Sequence, residues 1–327
     1  MPNSVILGTG SYAPERILTN ADLEKMVATN GAWIVSRTGI EERRIAAPQE
    51  ATSDLAAAAA RHALDMAGVA AEAVGMIIVA TVTPDTQTPA CAAHVQAKIG
   101  ATNAFCFDVS AACAGSLYGL SIADQFIKSG MVRYALVIGA ETLSRVVDWT
   151  NRETCVLFGD AAGAVLLGAT EDKDRGLLAA KLRTDGSSTE ILGIFGGGSR
   201  APVDAQMLET RGNKIKMRGR EVYKIATRAL PDIMRETLEL AGLRPQDVTH
   251  VAAHQANLRI IESAMESLGV PMEKCWINIA RYGNTSSAPM PITLDEANRA
   301  GRLKSGDVIA MMAIGAGMTW GGAVLRW

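Results

Sequence analysis

Two stretches of the sequence, about 170 residues apart, repeat the same order of apolar runs and small-residue loops. In the first, GMIIVATVTPD leads to a helical pattern and then to AFCFDV, AACAG, YALVIGAE and the glycine-rich GDAAGAVLLG. In the second, THVAAHQAN leads to a helical pattern and then to CWINIARYGNTSSA, DVIAMMAIGAG and MTWGGAVLRW. The similarity of GAVLLG to GGAVLRW is the clearest part. This repetition predicts two duplicated halves, each contributing one functional loop at an equivalent place.

Short runs rich in Val, Ile and Ala alternate with longer helical patterns along the whole chain. Buried strands that helices cover on both faces have this pattern, which predicts an α/β fold. The predicted strands are 76–82, 104–109, 134–139, 250–254, 275–279 and 308–313. Two of the predicted helices are 53–67, in which Ser53 is the expected N-cap, and 220–240.

Composition limits the classes of partner. With 327 residues, of which 48% are hydrophobic, the chain can bury a core large enough for two fused units. Its formal net charge of -2 gives no bulk attraction to nucleic acid or to an anionic membrane, so neither is expected as a partner. The N-terminal residues lack a signal-peptide pattern, and no uncharged apolar run reaches about 18 residues, so we expect a cytoplasmic protein.

The five cysteines are odd in number, scattered, and without CxxC spacing. This arrangement indicates neither a disulfide framework nor a zinc site, and it is typical of free thiols in a reducing compartment. His250 and His254 are four residues apart, but in a segment that is predicted as strand, so a metal-ligand pair is not indicated. We therefore expect no metal site.

Cys113 is the strongest candidate for a reactive group. In FDVSAACAGSLYGL it follows an apolar strand and falls in the first turn of a predicted helix. Unpaired backbone N–H groups and the helix dipole at such a position favour the thiolate and lower its pKa. Small neighbours such as Ala112 and Gly115 leave room for a substrate. From position alone, a small buried hydrophobic residue is the more common explanation of such a cysteine.

Two polar residues of the second repeat are further candidates. His254 ends the predicted strand VAAHQANLRI, at the edge where α/β folds place their sites, although a hydrogen-bonded core histidine would look the same. Asn284 lies in the small-residue segment RYGNTSSAPMP, which also fits an ordinary turn with Ser286 or Ser287 as a helix cap.

Taken together, these segments resemble the motifs of the ketoacyl synthase III branch of the thiolase superfamily. The matching motifs are AACAG around Cys113, HQANLRI around His254 and YGNTSSA around Asn284, in that order. Further matches are GTGSYAPER, WIVSRTGIEERR, WTNRETCVLFGDAAGA and GAGMTWGGAVLRW, so the resemblance extends over essentially the whole chain.

The resemblance implies a thiolase-like five-layer αβαβα fold with two duplicated halves, and a homodimer. We place the halves at 1–172, with Cys113, and at 173–327, with His254 and Asn284. The implied activity is an acyltransferase reaction that starts fatty acid synthesis. An acyl-CoA primer and malonyl-acyl carrier protein condense with loss of carbon dioxide, and no cofactor is needed because acyl-CoA is a substrate.

The resemblance also implies roles for individual residues. Cys113 would take the acyl group from the primer. His254 and Asn284, both uncharged donors, would stabilise the enolate oxygen that decarboxylation creates. The backbone N–H groups of Cys113 and Ala316 would form a second oxyanion hole, since Gly315 and Gly317 permit a close approach of the backbone.

Other matched positions are implied to bind the substrates. The CoA-binding positions are Thr29, Trp33, Arg37, Arg152, Gly219 and Asn257, of which Trp33 and Arg152 would hold the adenine between them. Lys224 and Arg259 would contact the acidic carrier protein. Thr88 matches a gate of the acyl pocket that is a bulky aromatic in some acetyl-preferring members, so primers longer than acetyl are expected to fit.

Three alternatives stay open at this point. A thiolase usually carries a second cysteine in the C-terminal glycine-rich loop, and the segment 312–318 contains none. Hydroxymethylglutaryl-CoA synthase and acyltransferases of secondary metabolism can share the Cys-His-Asn set. A non-catalytic acyl-binding or carrier-binding scaffold would have no need for a nucleophile.

Overall fold

The structure is a computed structural model that describes residues 2–327. Its strands are β1 (Asn3–Tyr12), β2 (Arg16–Thr19), β3 (Glu42–Ile45), β4 (Met76–Ala80), β5 (Phe105–Val109), β6 (Tyr134–Thr142), β7 (Asp160–Thr170), β8 (Gly176–Thr184), β9 (Leu192–Ile194), β10 (Ile215–Met217), β11 (His250–Ala253), β12 (Val308–Gly315) and β13 (Thr319–Arg326). Its α-helices are α1 (Asn20–Glu24), α2 (Gly31–Thr38), α3 (Thr52–Ala67), α4 (Cys91–Ile99), α5 (Gly115–Lys128), α6 (Arg152–Cys155), α7 (Ala205–Glu209), α8 (Gly219–Leu240), α9 (Leu258–Leu268), α10 (Ile279–Tyr282) and α11 (Pro289–Arg299).

Two large sheets repeat one topology. The first has the strand order β1-β7-β6-β4-β5, and the second has the order β8-β13-β12-β11. In each sheet a parallel pair, β4 with β6 or β11 with β12, is followed by two antiparallel neighbours. The duplication that the sequence repeat predicts is therefore confirmed by the order and direction of the strands.

The helices form layers on and between these sheets. Helices α3 and α4 cover the outer face of the first sheet, and α8, with α9 packed on it, covers the second. Helices α5 and α11 contact strands of both sheets and so form the middle layer. Apolar side chains fill the space between the layers, because β4 and β12 are buried along their whole length. This is the predicted five-layer α/β arrangement.

The prediction of a strand at 275–279 is wrong. The segment nevertheless starts at the position in the second sheet that β5 occupies in the first. Cys275 forms a single parallel bridge to Val251, at the position where β5 pairs with β4 in the first sheet. The following backbone is bound by the side chain of Gln255, which donates to the carbonyl of Trp276 and accepts from the N–H of Asn278. Because a side chain satisfies these groups, no further strand pairing develops.

Ser53 is not a helix cap, which corrects a second prediction. Helix α3 begins at Thr52, and the carboxylate of Asp54 accepts the N–H of Ala51. The hydroxyl of Ser53 instead donates to Asp85 at 2.6 Å. The sequence around Ser53 does not indicate that Asp85, in a later segment, binds its hydroxyl.

Candidate active site

The candidate nucleophile lies where a buried strand turns into a helix. After β5, Cys113 occupies a short 3-10 turn, Ala112–Ala114, that leads directly into α5. Ala112 has a φ of 45°, a left-handed conformation that costs a non-glycine residue of order 1–3 kcal/mol. Cys113 is 8% exposed, and its backbone lies at the carboxyl end of the first sheet. Strained backbone at the end of a parallel strand is typical of a functional position.

The end of β12 approaches this turn closely. A Cβ atom on Gly315 would lie 2.5 Å from the backbone nitrogen of Cys113, so this position requires glycine. The hydroxyl of Thr319 donates to the carbonyl of Ala111 at 2.8 Å and joins the same two segments. Cys113 and Ala316 consequently line one cavity.

Replacing Gly315 by alanine is expected to destabilise the protein by about 1–3 kcal/mol, because the new methyl group collides with backbone that cannot move independently. Urea denaturation measures this loss. Gly186→Ala is the matched control, since a Cβ atom there meets nothing within 4 Å. Equal midpoints for the two variants would show that the close approach is not required.

The loop that carries Asn284 comes from the second half of the chain and packs onto the end of the first sheet. Its backbone N–H donates to the carbonyl of Leu157, and its carbonyl accepts from Gly159. A Cβ atom on Gly139 would lie 2.3 Å from the carbonyl oxygen of Ser287, so glycine is needed for this contact. The hydroxyl of Ser287 donates to the carbonyl of Ala80 rather than capping α11.

The side chain of Asn284 forms a hydrogen bond within its own loop. The Oδ1 atom of Asn284 accepts the backbone N–H of Ser286 at 2.9 Å, which leaves the amide NH2 group as the donor. Ser286 and Cys113 line the same cavity. Asn284 is thereby bound to the backbone of a residue that lines the cavity of Cys113.

His254 follows β11, and its backbone N–H donates to the carbonyl of Met312 on β12. The side chain is 5% exposed, and neither ring nitrogen has a hydrogen-bond partner. Burial lowers the pKa of His254 to about 3, so the imidazole is neutral at physiological pH. Two unpaired buried nitrogens are costly, and the residues that line the cavity around Cys113 include neither His254 nor Asn284.

The prediction that Cys113 favours the thiolate form is wrong. Burial raises the pKa of the thiol to about 12, the hydroxyl of Ser286 opposes this shift, and the negative charge of Glu141 adds to it. The sequence predicted a lowered pKa because the helix start is a local feature, whereas the burial that raises the pKa comes from distant segments. Since the thiolate is the nucleophile, the proton of Cys113 must leave before or during attack.

Cys113 opens into a cavity of about 520 Å³. Most of the lining is apolar and comes from Leu143, Phe158, Leu192, Ile194, Phe195 and Ile215. The polar part of the lining includes Thr81, Ser110 and Ser286. A mostly apolar cavity with a few polar groups suits a hydrocarbon chain that ends in a reactive carbonyl.

Comparison with known proteins identifies the family. The model for 3-oxoacyl-[acyl-carrier-protein] synthase III matches residues 107–186, and the model for its C-terminal part matches residues 238–327. The β-ketoacyl-[acyl-carrier-protein] synthase III of Caldanaerobacter subterraneus subsp. tengcongensis is 51% identical over 322 residues, which cover 98% of this chain and 97% of that protein. The chain belongs to the β-ketoacyl-[acyl-carrier-protein] synthase III family.

Solved structures agree with this membership. The crystal structure of the 3-oxoacyl-[acyl-carrier-protein] synthase III of Aquifex aeolicus superposes with a TM-score of 0.92 at 47% identity, covering 99% of this chain and 100% of that one. A priming β-ketosynthase from the R1128 polyketide biosynthetic pathway superposes with a TM-score of 0.93 at 35% identity, covering 99% and 96%. The family and the thiolase-like fold predicted from the sequence are thus confirmed.

Several positions that the family resemblance assigned to CoA lie together. The guanidinium of Arg152 lies 5.2 Å from the ring centre of Trp33, a cation–π contact, and also donates to the carbonyl of Ala28. The side chain of Asn257 donates to the backbone carbonyl of Arg37, and its Oδ1 atom caps α9.

The remaining assigned positions lie around these two pairs or on the neighbouring helix. The hydroxyl of Thr29, which follows Ala28, is buried without a hydrogen-bond partner. Gly219 is exposed at the first residue of α8. Lys224 and Arg259 are exposed on α8 and α9, and the guanidinium of Arg259 lies 5.8 Å from the ring of Tyr223. Their roles in binding CoA and the carrier protein stay predictions.

Thr88 is not brought to the cavity. It is exposed on the loop between β4 and α4, and it is absent from the residues that line the cavity around Cys113. The predicted gate role within one chain finds no support in this geometry.

Sequence reasoning missed Ser286, which lines the cavity of Cys113, and Glu141, whose negative charge raises the pKa of the Cys113 thiol. Glu141 ends the apolar run YALVIGAE, where a carboxylate at the end of a buried strand could have signalled a site. Ser286 was considered only as a helix cap. Across residues 2–327, no group of three or more acidic, cysteine or histidine side chains is arranged to hold a metal ion. None of the helices in this described range combines the length and apolar character needed to cross a membrane.

Proposed function

We propose that this chain condenses an acyl-CoA primer with malonyl-acyl carrier protein, releasing carbon dioxide and forming the 3-oxoacyl-acyl carrier protein that starts fatty acid synthesis. The observation that carries this proposal is that Cys113 lines a mostly apolar cavity together with Ala316 and Ser286. Membership of the synthase III family supports the same reaction.

The first step transfers the acyl group. The sulfur of Cys113 adds to the carbonyl carbon of the primer to give a tetrahedral intermediate, which then collapses as the bond to the sulfur of CoA breaks. In the intermediate, the backbone N–H groups of Cys113 and Ala316 donate to the oxyanion. The apolar wall of the cavity holds the acyl chain and keeps water away from the thioester.

The second step forms the new carbon–carbon bond. Loss of carbon dioxide from the malonyl group puts negative charge on its thioester oxygen, and His254 and Asn284 donate hydrogen bonds to that oxygen. Both donors are uncharged, as the lowered pKa of His254 requires. The carbanion then attacks the acyl group on Cys113 and releases the thiolate.

We place the two halves of the chain at 1–172 and 173–327. The substrates reach the site over the surfaces of both halves. Trp33 and Arg152 stack with the adenine of CoA, while Thr29, Arg37, Gly219 and Asn257 contact the rest of the molecule. The cations of Lys224 and Arg259 attract the acidic carrier protein. Acyl-CoA is consumed as a substrate, so the reaction uses no resident cofactor. The five cysteines are free thiols, in keeping with a cytoplasmic location.

A homodimer is part of this proposal. Strand β5 is the edge of the first sheet, and its outer side has no neighbouring strand among the described residues. Phe105 on this strand is 43% exposed and contacts the ring of Phe126. An exposed strand edge with aromatic side chains is suited to pair with the same strand of a second copy.

Incubation with radiolabelled acyl-CoA, followed by denaturing electrophoresis, separates an enzyme from a non-catalytic scaffold. The proposed enzyme retains the label through denaturation, and addition of malonyl-acyl carrier protein releases it. A scaffold would stay unlabelled. The similarity to a polyketide priming ketosynthase keeps a role in secondary metabolism as a second candidate, and the preferred primer distinguishes the two.

Primers longer than acetyl are expected to acylate Cys113, because the cavity of about 520 Å³ exceeds what an acetyl group occupies. Intact-mass measurement with acetyl-, butanoyl- and hexanoyl-CoA tests this. Narrowing the cavity with Ile194→Trp should reduce acylation by hexanoyl-CoA about tenfold or more and affect acetyl-CoA least. A wild-type protein that accepts acetyl-CoA alone would contradict the prediction.

A further inference from the structure

Arg43, on β3, is a buried cation without a carboxylate partner. Its side chain is inaccessible, and Arg43 forms none of the ion pairs found among residues 2–327. Burial lowers the pKa of the guanidinium to about 10, so the group stays charged at neutral pH. A buried charge without a counter-ion is costly, and its hydrogen bonds must compensate for the lost water.

These hydrogen bonds join two separate parts of the chain. One terminal nitrogen of the guanidinium donates to the carbonyl of Leu18 at 3.2 Å and to Oδ1 of Asn20 at 2.9 Å, and the other donates to the carbonyl of Val156 at 2.8 Å. Leu18 also lies opposite Arg43 in the pairing of β2 with β3. The guanidinium therefore ties the start of the segment 156–159 to this two-stranded sheet.

The same segment holds the backbone of Asn284. The carbonyl of Leu157 accepts the N–H of Asn284 at 2.8 Å, and the N–H of Gly159 donates to the carbonyl of Asn284 at 3.0 Å. Phe158, between them, forms a parallel bridge with Asn284 and lines the active-site cavity. Both of these backbone hydrogen bonds of Asn284 thus depend on the segment that Arg43 binds.

The stem of Arg43 packs against both sides of this junction. A Cβ atom on Gly159 would lie 2.9 Å from the Cβ atom of Arg43, and a Cβ atom on Gly283 would lie 3.4 Å from it. Gly283 immediately precedes Asn284 and has a φ of 64°, which favours glycine. Arg43 therefore contacts the segment 156–159 and the loop of Asn284 directly, in addition to its hydrogen bonds.

We propose that Arg43 is a positioning residue for the condensation step, because it fixes the segment 156–159 and, through it, the donor group of Asn284. The inference rests on the proposed function, in which Asn284 donates to the enolate oxygen. It gives Arg43 no contact with either substrate.

The contacts explain why the two steps of the reaction should differ. Ser286 donates its backbone N–H to Oδ1 of Asn284, so the direction of the amide NH2 group follows the backbone of the loop. Displacing such a group by about 1 Å can cost roughly 10²-fold in rate. The turn of Cys113 is held by a different contact, the hydrogen bond from the hydroxyl of Thr319 to the carbonyl of Ala111. Loss of the guanidinium should therefore disturb the donor more than the nucleophile.

The test uses Arg43→Met, which keeps an unbranched side chain but removes the charge and the donors. Acetyl-CoA is the primer, because so short an acyl group makes the least use of the cavity wall at Phe158. The variant should form as much acyl adduct per protein as the wild type, at a rate within about threefold, whereas malonyl-acyl carrier protein should consume the adduct roughly 10²-fold more slowly. Single-turnover mass measurements give the amount of adduct and both rate constants.

The amount of adduct separates positioning from a merely structural role, which would lower the number of competent sites and leave the rate constants per site unchanged. Arg43→Lys keeps the charge but not the planar fork that reaches three acceptors, so it should show the same separation of the two steps. Asp124→Ala is the matched control. It removes a buried carboxylate whose partners, Ser4 and Lys128, lie outside the segment 156–159. Both of its rate constants should equal those of the wild type.

Condensation slowed no more than acylation in Arg43→Met would overturn the role of Arg43, and the proposed function would stand as long as the wild type condenses. If Arg43→Met does not fold, the same result in Arg43→Lys overturns the role equally. An equal slowing of condensation in Asp124→Ala would also contradict it, because any buried charge would then have this effect. Wild-type protein that forms no acyl adduct would contradict the proposed function itself, and the role of Arg43 with it.

Discussion

Replacing Cys113 by alanine is expected to abolish both acylation and condensation, lowering the overall rate by roughly 10⁴-fold or more. The sulfur is the acceptor of the acyl group in the first step and its donor in the second, so no residual path keeps the covalent intermediate. The substitution removes a small buried side chain, so the fold should persist. Intact-mass measurement of the acyl adduct and an assay of 3-oxoacyl product check the two steps separately.

Cys106→Ala is the matched control for this prediction. Cys106 is a half-buried free thiol on β5, in the strand that leads to the turn of Cys113. Its loss should leave the adduct and the product at wild-type levels. An adduct of unchanged yield in Cys113→Ala would assign the acyl group to a different residue and contradict the account.

Replacing His254 by alanine is expected to separate the two steps. Acylation should stay within about threefold of the wild type, whereas condensation should fall roughly 10²–10³-fold, the usual effect of removing one oxyanion donor. The imidazole is buried, neutral, and has no hydrogen-bond partner in the protein, so its donor is available for the enolate oxygen. Single-turnover measurements of adduct formation and of its consumption by malonyl-acyl carrier protein give the two rates.

His250→Ala is the control for the same strand. His250 stacks on Trp276 with ring centres 4.9 Å apart and lies 3.4 Å from the carboxylate of Asp307, so its partners are already supplied by the protein. Neither step should change in this variant. Equal loss of acylation and condensation in His254→Ala would contradict the division of roles between Cys113 and His254.

The repeated order of apolar runs predicted the two-sheet architecture, because each run contains enough information to define a strand and its direction. The segment 275–279 escaped the same logic. Its composition fits a strand as well as β5 does, but Gln255 satisfies the adjacent backbone groups and ends the pairing after one bridge. A side-chain contact from a different loop decided the outcome, and local patterns do not contain such contacts.

Local sequence patterns also predicted only part of the candidate site. Motif resemblance named Cys113, His254 and Asn284. The structure binds Asn284 to the backbone of Ser286, which lines the cavity of Cys113, whereas Asn284 and His254 do not line it. The acidity of Cys113 could not be predicted, because a helix start lowers the pKa of a thiol while burial by remote segments raises it, and the second effect is larger here. Glu141 became visible only when folding brought the end of β6 to the turn of Cys113.

The most direct measurement is peptide mapping by mass spectrometry after incubation with acyl-CoA, before and after malonyl-acyl carrier protein is added. We expect the acyl group on the peptide that contains Cys113, and its disappearance as 3-oxoacyl-acyl carrier protein forms. An acyl group on any other peptide, or an adduct on Cys113 that malonyl-acyl carrier protein leaves untouched, would contradict the proposed condensation.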